Sequence, residues 1–319
     1  MDKILITGGA GFIGSALTQT LTKLEDEIIV YDNLSTGTMS SISSVWDSPK
    51  FTFMQEDMLD LSSLTKAVDL SDVVFHLAAN PEVKIGFTNT KIDYEQNVHA
   101  TYNLLEAMRN SPRCKKLIFT STSTVYGDAQ TVPTPETYAP LSPISLYGAS
   151  KLACEALISG YSHMFNMSST VVRLANVVGP ESTHGVIYDF INKLSSNPKF
   201  LEILGDGKQN KSYLFIDDTI RALIEAAKIE KTFEIVNAGS NDNIDVREIA
   251  QIVIKELSLG EVGLRFTGGI EGRGWKGDVK EMLLDSSKLE RTGWNLRFRS
   301  REAVVLAARG MISSKSQHP

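Results

Sequence analysis

Thr7-Gly8-Gly9-Ala10-Gly11-Phe12-Ile13-Gly14 follows the apolar run KILIT (3–7) and opens a segment of helical period over 12–24. The glycines at 8, 11 and 14 form GxxGxxG between a strand and a helix. Glycine permits the positive φ of a tight turn and lets the backbone approach a pyrophosphate closely. The helix begun by Phe12 and Ile13 offers free N–H groups and a partial positive charge to phosphate oxygens. This context makes the glycines a dinucleotide-binding turn and not only a packing turn.

Outward from that turn, short β-branched blocks alternate with longer helical segments. EIIVYD (27–32), FTFMQE (51–56), DVVFHLA (72–78), KLIFTST (116–122) and TVVRLAN (170–176) read as strands buried on both faces. Helical period fills 61–69, about 90–110 and 147–165. The alternation predicts an α/β fold, a Rossmann-type doubly wound parallel sheet. After about 180 the pattern loosens. LEIL (201–204), YLFI (213–216), FEIVN (233–237) and GLRFT (263–267) lie between helices expected near 185–195, 218–229 and 245–258. We expect a dinucleotide domain over 1–178. A smaller α/β substrate domain over 179–319 follows, with some segments returning to the first. The tail SSKSQHP (313–319) is expected to fray.

Composition narrows the function. The chain has 319 residues, 42% hydrophobic and 22% charged, with 32 Lys+Arg against 38 Asp+Glu and a net charge of −6. A mildly acidic chain without a basic block is a poor match for nucleic acid or anionic membranes. No apolar run approaches the roughly 18 residues of a spanning helix. The start at Met1-Asp2-Lys3 leaves no room for a signal peptide, so a cytoplasmic enzyme is expected. Cys114 and Cys154 alone cannot build a disulfide framework or a four-Cys zinc site, and no metal is expected.

Asp32 ends the second strand, 18 residues beyond Gly14. A carboxylate there accepts from ribose hydroxyls and repels a 2′-phosphate, and no Lys or Arg follows until Lys50. NAD is favoured over NADP. Asp32 also suits a cap for the turn Asn33-Leu34-Ser35-Thr36-Gly37, and both roles are compatible. Asp57-Met58 falls after the third strand, where an adenine-contacting pair is expected; a solvated loop acid fits the same spacing.

Tyr147-Gly148-Ala149-Ser150-Lys151 is YxxxK, which on a helix puts the phenol and ammonium on one face. A free Tyr has a pKa near 10, too high for a base at neutral pH. A cation about 6 Å away at an effective dielectric of 20 contributes roughly 3 kcal/mol, or about two pK units. The pair is a candidate general base. The fifth strand runs into Thr120-Ser121-Thr122-Ser123-Thr124, hydroxyls at the carboxyl end of a parallel strand, where such sheets bind ligands. Spacing does not choose among them.

TGGAGFIGS (7–15), Asp32, HLAA (76–79), STSTVYG (121–127), YGASK (147–151), RLANVVGP (173–180) and GDGKQNKSYLFIDD (205–218) together resemble the extended short-chain dehydrogenase/reductase family. The resemblance continues through GDVKEMLLDSSK (277–288) to Gly293-Trp294. The sugar-nucleotide epimerases fit best, and among them the UDP-glucose 4-epimerases. The resemblance implies Tyr147 as base, Lys151 as its activator and nicotinamide-ribose ligand, and Thr122 as the hydroxyl partner. It extends the NAD site to Asn33, Ser35, Gly37, Asp57, Met58, Leu77, Ala78, Ala79, Asn97 and Thr120. It gives the nucleotide sugar Asn176, the loop Thr183-His184-Gly185-Val186, Lys211, Arg273 and Asp278; His184 suits a surface role equally.

Departures from the family pattern matter. Related dehydratases resemble TDEVYG with an acid pair; here Ser123 and Thr124 occupy those places. Decarboxylases carry a Glu before VYG, and epimerase-reductases a Cys; neither is present. What remains needs Tyr, Lys, a hydroxyl and NAD, which fits 4-epimerisation. Gln209-Asn210-Lys211 replaces the family's QxR, and a Lys loses the bidentate fork. Arg273 or Lys276 replaces an Arg before Gly277-Asp278. Met282 stands where some epimerases carry a bulky gate against N-acetyl groups, which leaves glucose versus N-acetylglucosamine open; the glucuronate series is open as well. A net sugar dehydrogenase is the runner-up, and an NAD-binding regulatory protein a third reading that would not need YxxxK. A homodimer built on the helices near 90–110 and 147–165 is also expected from the resemblance.

Overall fold

The structure is a computed structural model describing residues 2–24 and 26–317. In chain order the first elements are β1 (Lys3–Thr7), α1 (Phe12–Lys23), β2 (Glu27–Tyr31), β3 (Phe51–Met54), α2 (Leu61–Asp69), β4 (Val73–His76), α3 (Thr90–Asp93), α4 (Ala100–Asn110), β5 (Lys116–Thr122), α5 (Leu146–Met164) and β6 (Ser168–Leu174). Next come β7 (Asn176–Val178), α6 (Val186–Ser196), β8 (Phe200–Ile203), β9 (Asn210–Lys211), β10 (Tyr213–Phe215), α7 (Ile216–Ala226) and β11 (Phe233–Ala238). The last are β12 (Ile244–Asp245), α8 (Val246–Glu256), β13 (Gly263–Phe266), β14 (Glu281–Met282), α9 (Ser287–Glu290) and α10 (Ser300–Gln317).

Seven strands form the main sheet in the order β11-β6-β5-β4-β1-β2-β3. β1 pairs in parallel with β2 and β4, and β2 with β3 and β4 with β5 likewise. The strand order reverses between β1 and β4, so their carboxyl ends form the crevice where doubly wound sheets take ligands. The apolar blocks are strands because both faces are covered. Leu5, Ile6, Val30, Val74, Leu117 and Ile118 are fully buried, each contributing about 1.5–3 kcal/mol of transfer free energy. Among the described residues, no helix is long and apolar enough to cross a membrane.

The chain divides into two compact units. The first comprises Met1–Val125, Leu146–Arg173 and Ile220–Val236; the second Tyr126–Ser145, Leu174–Thr219 and Asn237–Pro319. FEIVN, expected in the later unit, instead supplies β11 at the edge of the main sheet. Its isolated block carried no sign of which sheet it would join. The second unit holds the small sheets β10-β7, β12-β9-β14 and β13-β8.

Three further local differences have physical causes. The expected helix over 90–110 is continuous, but Tyr94–His99 forms a π turn between α3 and α4. Residues 39–45 form a 3₁₀ turn that buries Ile42 and Val45. Residues 313–317 do not fray: they extend α10, while 318–319 lie outside the described residues. Ala303, Val304, Ala307, Ala308 and Met311 form its buried stripe. Gly310 lets that helix approach Pro180, since a Cβ there would meet the proline ring at 2.5 Å.

Candidate active site

The glycine turn is built for close approach. Gly8 has φ +70°, and a Cβ there would lie 2.7 Å from the Ala78 nitrogen. Gly11 N–H donates to the Gly8 carbonyl at 3.1 Å, and a Cβ on Gly14 would strike that oxygen at 2.0 Å. Leu77 N–H donates to the Thr7 carbonyl at 3.1 Å, which seats Leu77-Ala78-Ala79 against the turn. Gly37 faces Ala10 at backbone distance, and Thr38 N–H donates to the Ala10 carbonyl.

Asp32 is buried, and Oδ2 accepts from Ala10 N–H at 2.9 Å while Oδ1 accepts from Leu34 N–H at 2.8 Å. The capping geometry is therefore real, and each oxygen keeps a further lone pair for a ligand hydroxyl. Asn33 bridges this turn to Asp57, donating to Oδ2 at 2.9 Å, and Asn33 Oδ1 accepts from Ser35 N–H. Met58 is buried in the core, and its carbonyl accepts from Asn103.

α5 starts one residue before Tyr147, and its first turn carries the YxxxK pair. Lys151 is 3% exposed; its ammonium donates to the Thr120 carbonyl at 3.0 Å and lies 4.7 Å from the Phe119 ring centre. Burial pushes the Lys151 pKa down to about 8, against the nearby Cys154, Glu155 and Asp93. Tyr147 is partly buried, yet desolvation raises its phenol above the usual tyrosine range, with Asp93 and then Cys154 adding to the effect. The protein alone thus favours the protonated Tyr147 phenol.

The strand-end hydroxyls now separate. Thr120 donates to the His76 carbonyl at 3.2 Å. Ser121 donates to Glu155 Oε1 at 2.5 Å, and Arg173 holds the same carboxylate at 2.6 Å from Nη2 to Oε2. Thr122 is half-buried, shares a 3.1 Å hydrogen bond with Thr124 and accepts from Thr124 N–H. Thr122 is therefore the one of these three whose hydroxyl bonds only within its own turn.

Several groups escaped the sequence reading. His76 is fully buried; its Nδ1 shares a 2.7 Å hydrogen bond with Thr7 Oγ1 and its Nε2 a 3.0 Å bond with Thr101 Oγ1. Burial, aided by Lys151, drives its pKa to about 3, so it is neutral. Asn97, expected at the cofactor, accepts from Asn80 N–H at 2.9 Å and donates to Ser150 Oγ at 2.8 Å. Asp93, Asn80 and Glu155 lay outside every quoted motif, while Ser150 and Arg173 lay within YGASK and RLANVVGP without a role assigned to them.

In the second unit, Asn176 donates to the Ser212 carbonyl at 3.4 Å. Thr183, His184 and Gly185 are exposed, and Gly185 has φ +94° ahead of α6, which Val186 begins. Lys211 pairs with Asp278 at 2.6 Å. Arg273 grips Asp128 with both terminal nitrogens, at 3.1 and 2.7 Å, and also donates to the Asp278 carbonyl. Lys276 is exposed.

Residues 4–239 match the model of the NAD dependent epimerase/dehydratase family. The chain belongs to that family. A putative UDP-glucose 4-epimerase of Methanocaldococcus jannaschii is 32% identical over 308 residues, 94% of this chain and 95% of the relative. A crystal structure of a UDP-galactose 4-epimerase is 41% identical with a TM-score of 0.87, covering 98% of this chain and 99% of that one. A Bacillus cereus UDP-glucuronic acid 4-epimerase variant, solved with a fluorinated UDP-sugar and NAD, is 28% identical with a TM-score of 0.88 over 98% and 99%. This epimerase/dehydratase uses NAD. The residues present fit it: a turn that any Cβ would block, a carboxylate with free lone pairs, and an ammonium with two N–H groups left over.

Proposed function

We propose that the protein is a UDP-hexose 4-epimerase that interconverts UDP-glucose and UDP-galactose. The observation supporting this most is the end of β5. Thr122 is followed by Ser123 and Thr124, so the turn beside Tyr147 and Lys151 carries no acid to drive elimination or decarboxylation. Reversible proton and hydride movement is the chemistry left.

The turn 8–14, Asp32, Asn33, Ser35, Gly37, Asp57, Met58, Leu77, Ala78, Ala79, Asn97, Thr120, Tyr147 and Lys151 would hold NAD. NAD bound there supplies reversible hydride acceptance at the sugar C4. Tyr147 removes the 4-hydroxyl proton and returns it at the end of the cycle. Lys151 lowers the cost of the phenolate, and Thr122 shares a hydrogen bond with the same sugar oxygen. Inversion requires the 4-keto sugar to present its other face, so the nucleotide diphosphate must anchor it. Asn176, Thr183, His184, Gly185, Val186, Lys211, Arg273 and Asp278 are proposed for that task. UDP-glucuronate is the second substrate reading, favoured by the Bacillus cereus relative.

Proton NMR of purified protein with UDP-galactose and no added NAD tests the proposal. Appearance of UDP-glucose to a fixed ratio supports it, and Tyr147→Phe should abolish it. Inactivity even with NAD, alongside turnover of UDP-glucuronate, would select the second reading. A homodimer is proposed as well: Phe87 (72%), Tyr94 (60%) and Met164 (75%) are exposed on or beside the helices that would pair. Light scattering at monomer mass would reject it.

A further inference from the structure

Asp93 ends α3 at the entrance to the π turn, and it is 2% exposed. Oδ1 accepts from the Asn80 amide at 3.0 Å and from the Asn97 amide at 3.4 Å. Oδ2 is buried and has no hydrogen-bond partner among the described residues. Gly86 makes room for it: a Cβ there would lie 2.5 Å from Oδ2 and 3.4 Å from the Leu146 Cβ, next to Tyr147. Asn97 then donates to Ser150 Oγ at 2.8 Å, and Ser150 donates to the Tyr147 carbonyl at 2.8 Å. A hydrogen-bonded path therefore joins Asp93 to the first turn of α5.

A buried carboxylate with an unserved oxygen is costly, so it needs a charge to offset it. The surrounding elements narrow the choice. α5 presents Tyr147, Lys151, Cys154 and Glu155, and Arg173 on β6 already pairs with Glu155. β4 presents His76, which is neutral. Glu82 and Lys84, flanking and within a second 3₁₀ turn at Val83–Phe87, are exposed, and Lys91 pairs with Glu95 at 2.8 Å. Burial raises the Asp93 pKa while the Asn80 amide and then Lys151 lower it, so Lys151 is the cation that favours the charged carboxylate.

We propose that Asp93 is a positioning residue for the Tyr147–Lys151 pair: a fixed, buried counter-charge, seated by Gly86 and the Asn80 and Asn97 amides, that holds both side chains in their protonated forms. Lys151 then stays cationic despite its burial. Tyr147 yields its proton only when bound ligands supply further stabilisation. The directions agree, since Asp93 raises the pKa of both groups.

For turnover this rests on the epimerase reading. Asp93→Asn keeps the shape and an oxygen for both amides while removing the charge. Both limbs of the pH–rate profile should move to lower pH, by about half a unit or more, with NAD content unchanged. A lower rate at every pH with fixed limbs, or a move to higher pH, would overturn the proposal.

A second measurement needs no substrate. In protein labelled at aspartate carboxyl carbons, the Asp93 resonance is assigned by its loss in Asp93→Asn, or by its displacement in Gly86→Ala should the first variant not fold. It should titrate at higher pH in Lys151→Met than in the native protein. Equal titration would overturn the proposal even if the substrate reading holds. A shift would sustain it even if that reading fails.

Discussion

The Lys151 ammonium donates to the Thr120 carbonyl at 3.0 Å, a bond made inside the fold and nearly out of solvent. This links the lysine of the YxxxK pattern to the strand end that carries Thr122. The link has a thermodynamic consequence. Burial lowers the Lys151 pKa from 10.5 to about 8, which corresponds to about 3 kcal/mol between charged and neutral forms. Between those two values the unfolded chain holds the proton and the folded chain does not, so stability from this group rises with pH there and is flat below about 8. Lys151→Met should therefore lack this rise. In urea unfolding of cofactor-free protein, it should gain about 1–2 kcal/mol on the native chain at pH 7.5, after loss of the Thr120 bond, and none at pH 10.5. The same substitution should lower turnover by at least about 100-fold. A variant less stable at pH 7.5 would show that the carbonyl bond outweighs the desolvation.

Gly14 tests the turn separately. A Cβ there would stand 2.0 Å from the Gly8 carbonyl, which cannot yield without moving β1. Gly14→Ala should leave NAD out of the purified protein, read as a fall in absorbance at 260 nm relative to 280 nm. Thermal unfolding should drop as for a loss of about 2 kcal/mol or more. Retention of NAD would mean that the phosphates do not approach this turn.

The Glu155–Arg173 pair is fully buried, with Ser121 on the same carboxylate. Removing one partner leaves the other charge stranded. Glu155→Met and Arg173→Met should each cost about 3–5 kcal/mol, while the double variant should recover most of that loss. Additive single losses in a double-variant cycle would contradict a direct coupling.

Much of this was readable in the chain. The glycine spacing and the apolar blocks gave the sheet because each is a local pattern set by backbone geometry and burial, and YxxxK marked a candidate base. β11 was legible as a strand but not as a member of the main sheet, because partner choice lies in long-range pairing. α10 was overlooked although Ala303, Val304, Ala307, Ala308 and Met311 form a helical stripe. Small alanines make a weak apolar signal. Asp93 could not be found from sequence at all. The contacts that single it out come from Gly86 and Asn97, which reach it only through the 3₁₀ turn at Val83–Phe87 and the π segment.

Arg273 is one of the residues proposed to receive an anion in the second unit. Its guanidinium holds the Asp128 carboxylate through both terminal nitrogens, and Asp128 is 41% exposed in its side chain. Asp128 adds to the attraction that raises the Arg273 pKa, so the cation is permanent and already engaged. A diphosphate must compete with that carboxylate, since both want the same planar fork. Asp128→Asn removes the competing charge but leaves an oxygen to orient the guanidinium. If Arg273 binds the diphosphate, the variant should bind UDP about 3–10-fold more tightly by calorimetry, and Arg273→Met more weakly than the native chain. Salt should erase much of the difference, because the pair is partly exposed. Weaker UDP binding by Asp128→Asn would instead make Asp128 the residue that aims Arg273, and unchanged binding would move the diphosphate to Lys211 alone.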